Sequence, residues 1–114
     1  MRPTFVRAYD AALADADVLV MPTCRTTAAP YVPPPAPAEA LADALGRGRS
    51  GAARNTRPFN YTGHPALAVP CGKVGGLPVS MQLVGRAFDD ALLLRTAYAY
   101  QQSVDWSAIV SIAV

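Results

Sequence analysis

Apolar positions along this chain change their period several times, and each change marks an element. Phe5, Val6, Tyr9 and Leu13 recur at helical spacing behind Pro3, which suits the first turn of a helix. This predicts a first helix near 4–14, broken by Asp15-Ala-Asp17. Val18, Leu19, Val20 and Met21 then form a continuous apolar run closed by Pro22, the pattern of a strand buried on both faces. From Thr23 to Ala38 the chain carries Pro30, Pro33, Pro34, Pro35 and Pro37. Each proline lacks a backbone donor, so this stretch is expected to be an extended loop over a surface.

The pattern resumes with a short helix expected at 38–45, stopped by Gly46, and a link at Gly48-Arg-Ser-Gly51. Asn55 or Thr56 is positioned to cap a helical turn through Tyr61, with Gly63 ending it in the left-handed conformation and Pro65 preventing continuation. Ala66 to Val69 reads as a strand and Gly75-Gly76 as a turn. In the next strand Val79, Met81 and Leu83 fall on one face, and Ser80 and Gln82 on the other. Strands joined this closely favour antiparallel pairing. Asp89 or Asp90 is expected to cap a final helix near 89–103. Its stripe is Leu93, Ala97, Tyr100 and Val104, widened by Leu94 and Tyr98. Trp106 follows, and Ile109 to Val114 is apolar with no partner in view. The fold class expected from this order is α/β, with helices layered on a sheet.

At 114 residues the chain is at most one domain. Hydrophobic residues make up 52% and charged residues 16%, against about 25% charged in ordinary soluble domains. So few charges on a small domain leave apolar surface uncovered, as expected of a piece whose faces pack against a missing body. A net charge of +2 argues against nucleic-acid or membrane-surface binding. No apolar run approaches the roughly 18 residues of a membrane span, and no signal peptide is visible. Cys24 and Cys71 form no C-x-x-C pair and read as reduced thiols of a cytoplasmic protein. With a single histidine they match no common zinc pattern, so neither metal nor cofactor is expected.

Many ordered pieces resemble the closing segment of the amidase signature family. They are Asp17-Val-Leu-Val-Met-Pro-Thr23, Thr56-Arg-Pro-Phe-Asn-Tyr-Thr-Gly-His-Pro-Ala66, Ala68-Val-Pro-Cys-Gly72, Gly76-Leu-Pro-Val79, Gln82-Leu-Val-Gly-Arg86, Phe88-Asp89 and Leu92-Leu-Leu-Arg95. The likeness covers roughly residues 5–106, leaving 107–114 as a divergent apolar tail. It implies a large α/β enzyme built round a mixed sheet. That enzyme cleaves a carboxamide C–N bond with a serine nucleophile, a second serine bridging to a neutral lysine, and backbone donors for the oxyanion. The resemblance places all of those parts upstream of the matched region.

The residues present agree with that absence. Lys73, the only lysine, reads as a solvated residue of the loop between two strands. Ser50 is the only glycine-flanked serine and reads as part of a linker. The other serines, Ser80, Ser103, Ser107 and Ser111, assemble no triad. His64 lies between Gly63 and Pro65 and reads as part of a turn. A Cys–His site with Cys24 or Cys71 has nothing in the sequence to support proximity. Asn60 and Thr62, with Gly63, have two readings: they satisfy backbone groups in a packed turn, or they line the substrate pocket and brace the nucleophile loop. Arg86 and Asp89 are expected to tie strand to helix.

The expectation is therefore a C-terminal fragment of an amidase, a truncated gene product or isolated gene piece, inactive alone. Its partners would be a small-molecule amide substrate in the full enzyme and a separately encoded N-terminal half. A fragment of an amidotransferase subunit is the alternative. An independent small α/β binding module is the third reading, which the apolar exposure opposes.

Overall fold

The computed structural model describes residues 1–30, 33 and 52–111. The helix expected at 38–45, the link containing Ser50, residues 31–32 and 34–38 of the proline-rich stretch and the last three residues lie outside the described residues.

Helix α1 spans Arg2–Ala12 with Pro3 in its first turn, within two residues of expectation at either end. Its apolar side meets a short helix, α2, at Arg57–Thr62. Tyr9 packs edge-on against Phe59 with ring centroids 5.1 Å apart, and Phe5 meets Tyr61 at 6.0 Å. Leu13, just past α1, is completely buried.

Strands β1 (Leu19–Pro22), β2 (Ala66–Val74) and β3 (Leu77–Val84) form an antiparallel sheet in the order β1-β3-β2. Val20 and Leu67 both lie opposite Leu83, and Pro22 and Val69 both lie opposite Met81. The β2–β3 connection turns on Gly75 and Gly76, at φ 58° and 79°. Positive φ at both centres is what a two-residue hairpin turn matching the strand twist requires.

Two strand expectations need correction. β1 is not buried on both faces: Val20 is 61% exposed. Only β3 flanks it among the described residues, so its apolar run is left at a sheet edge. β2 does not stop at Val69 but continues to Val74, because a register shift between Pro70 and Gly72 leaves Cys71 as the extra residue of a bulge. An edge strand with a bulge accommodates Pro70 without breaking the ladder.

Helix α3 (Asp90–Ser103) lies on the sheet. Leu93 joins Val69 and Leu83 in the core, with Val18, Leu67, Met81, Ala97, Tyr100 and Trp106 packed round them. Burying a side chain such as Leu93 contributes about 1.5–3 kcal/mol. Of the expected stripe, Leu93, Ala97 and Tyr100 thus face inward, while Val104 lies just past the helix in an extended conformation. The stripe's expected widening does not face inward: Leu94 and Tyr98 are 61% and 64% exposed, because a helix lying on one sheet face covers only one stripe. Helix α4 (Trp106–Val110) packs beside β2, and Trp106 packs against the core. Asp105 caps α4, its carboxylate accepting from Ala108 N–H at 3.1 Å and from the Ser107 hydroxyl at 2.7 Å. The Ser107 hydroxyl first, then the Ala108 amide, hold this carboxyl below its ordinary value.

Candidate functional site

The turn from Asn55 to Pro65 joins the helical side of the molecule to the sheet. Thr56 occupies the cap position of α2, yet makes no side-chain capping bond. Its hydroxyl donates back to Ala53 O at 3.1 Å. The Asn55 amide reaches Pro22 O at 2.8 Å, and the Gln82 amide donates to Asn55 O at 3.1 Å. The expected capping by Asn55 or Thr56 is therefore replaced. Asn55 links the turn to β1 and β3, and Pro58, in the first turn of α2, has no N–H to satisfy.

At the other end Gly63 closes α2 at φ 86°, its N–H donating to Phe59 O at 2.8 Å. This is the left-handed close expected. Of the turn residues singled out, Asn60 is exposed and Thr62 is buried. The Thr62 hydroxyl lies 2.9 Å from His64 Nδ1, and His64 Nε2 lies 3.1 Å from Asp10 Oδ1. A carboxylate only accepts, so Nε2 carries a proton. In the neutral ring Nδ1 is then left to accept from Thr62. The Tyr9 ring lies against the imidazole at 5.7 Å.

The order Thr62, His64, Asp10 resembles a nucleophile, base and orienting acid. Burial denies it that use: Thr62 and His64 are 6% and 5% exposed, so substrate has no approach to the hydroxyl. The arrangement is a clasp between α1 and the turn. Both ring nitrogens of His64 are engaged there, and neither cysteine is its partner.

A groove of about 890 Å³ opens elsewhere, along β1 and the bulged half of the hairpin. Met21, Cys24, Cys71, Val79 and Ser80 line it, while Asn60, Thr62 and Gly63 do not. Cys24 and Cys71 are free, exposed thiols, and Cys71 Sγ lies 3.8 Å from Val79 O. Lys73 belongs to β2 rather than to the expected loop, and its ammonium donates to Ser111 Oγ at 3.0 Å. Among the described residues no group of three or more His, Cys, Asp or Glu is placed to hold a metal ion. No described helix is long and apolar enough to cross a membrane.

Arg86 does not tie strand to helix through Asp89. Its guanidinium donates to Leu13 O at 2.8 Å and Ala16 O at 3.0 Å, and lies 3.7 Å from the Asp17 carboxylate. It thereby fastens the end of β3 to the α1–β1 connection. Asp89 meets Arg86 through the backbone, its N–H donating to Arg86 O. Asp89 is the cap residue of α3 by position and makes no side-chain capping bond. Sequence reasoning missed Asp10, 54 residues from its partner, and the carbonyls that Arg86 binds.

Residues 1–94 match the family model for amidases, and the chain belongs to the amidase signature family. An uncharacterized protein in the nthA 5′ region of Rhodococcus erythropolis is 47% identical over 83% of this chain and 46% of its own length. A glutamyl-tRNA(Gln) amidotransferase subunit of Chloroflexus aggregans is 41% identical over 93% of this chain and 20% of its own. Among solved structures, the corresponding glutamyl-tRNA(Gln) amidotransferase subunit of Thermotoga maritima superposes with a TM-score of 0.75 at 25% identity, over 97% of this chain and 23% of that one. A bacterial aryl acylamidase of the same family shares the fold, with a TM-score of 0.73 at 21% identity over 93% and 22% of the two chains. The chain thus spans under half the length of these relatives.

Proposed function

We propose that this chain is the C-terminal scaffold portion of an amidase signature hydrolase, cleaving a carboxamide C–N bond only in company with the rest of such an enzyme. One observation carries the reading. The chain overlays a solved family member over 97% of its own length and only 23% of that member's. The serine nucleophile, bridging serine and lysine of the family chemistry have no counterparts among Lys73 and the serines here. Lys73 is bound to Ser111, and Ser80 stands apart in the groove.

What this chain contributes is support. Asn55 and Gln82 fix the turn on the sheet, His64 fixes it on α1, and Asn60 is left at the surface of α2 for contact with the catalytic portion. Asn60, Thr62 and Gly63 would thereby brace the nucleophile loop or border the substrate. The partner is an N-terminal amidase portion, and the setting is cytoplasmic.

Ammonia release from simple carboxamides by the purified chain tests this. The expected result is no turnover above background. Turnover by the chain alone, lost in Cys71→Ala or His64→Ala, would overturn it. A second reading draws on relatives such as that of Chloroflexus aggregans, which are amidotransferase subunits. It expects the completed enzyme to transfer ammonia to glutamyl-tRNA(Gln), where the first reading expects ammonia release alone.

A further inference from the structure

We draw no further inference here: the strongest candidate, the groove along β1 and the bulged half of the hairpin into which Cys24 and Cys71 bring free thiols, carries nothing because nothing in the structure shows what covers it.

Discussion

His64 Nε2 lies 3.1 Å from Asp10 Oδ1, across 54 residues of chain, and this bond holds helix α1 against the turn that ends α2. The imidazole is buried and the carboxylate is more than half exposed. The cost of losing the bond therefore falls on the histidine, which would be left with an unpaired N–H. Asp10→Ala is expected to lower stability by about 1–3 kcal/mol, the penalty of an unsatisfied buried donor. Asp10→Asn retains an acceptor and is expected to cost less. Urea unfolding of Asp10→Ala, His64→Ala and the double variant checks this. A coupling of at least about 0.5 kcal/mol is expected for residues in contact, and strict additivity would show that the two act separately.

Gly63 faces a different constraint. A Cβ placed on it would meet only the Arg2 guanidinium, at 3.5 Å, which is ordinary contact, so space is not limiting. The backbone is, at a φ of 86°. Gly63→Ala is expected to destabilise by about 1–2 kcal/mol, the cost of the left-handed region for an L-residue. Gly63→Asn, which tolerates that region better, is expected to cost less. Equal urea midpoints for Gly63→Ala and wild type would contradict the conformational argument.

These two neighbours show what a sequence makes legible. Gly63 is readable because a glycine before His64-Pro65 is local chemistry, as are the Gly75-Gly76 turn and the period-2 alternation through Met81 and Leu83. The Leu93 stripe is readable because helical spacing is a repeated signal. Asp10 is not, since nothing near it in sequence marks it as the partner of a residue 54 positions away. Nor is the role of Asn55, a good cap by type whose amide instead goes to Pro22 O on β1. The bulge at Cys71 and the exposure of Val20 escape for a related reason. Both depend on what lies beside a strand, and periodicity along one strand carries no information about its neighbours.

Arg86 offers a test of which of its contacts matters. Its two carbonyl acceptors, Leu13 O and Ala16 O, are bound at 2.8 and 3.0 Å, while its ion pair with Asp17 spans 3.7 Å between a half-exposed and a nearly fully exposed side chain. Surface ion pairs contribute up to about 1 kcal/mol and are screened by salt. Asp17→Asn is therefore expected to change stability by less than about 0.5 kcal/mol. Arg86→Ala is expected to cost about 1–2 kcal/mol through the lost charge-assisted bonds, discounted for exposure. Arg86→Lys is expected to fall between them, because both bonds come from one guanidinium nitrogen, Nη2, and an ammonium on the shorter lysine side chain can keep part of that donation. If Asp17→Asn and Arg86→Ala cost the same in thermal or urea unfolding, the ion pair rather than the carbonyl clamp holds the loop.

Asp105 sets the pH behaviour of helix α4. Its carboxyl is held below the ordinary carboxylate value, first by the Ser107 hydroxyl and then by the Ala108 amide. A depressed folded-state value means that the ionised form is favoured by the fold. The stabilisation is fully present above the unfolded-chain value, about 3.9, and is lost as pH falls through the lower folded value. Trp106, the first residue of α4, packs against the core and reports on that helix. Its fluorescence is expected to hold steady from pH 7 to about pH 5 and to shift towards that of an exposed indole below about pH 4. Asp105→Asn keeps a capping oxygen but cannot ionise, so its acid response at Trp106 is expected to be weaker than wild type. Asp105→Ala is expected to shift the emission at every pH. An acid transition of unchanged size in Asp105→Asn would place the titrating group elsewhere.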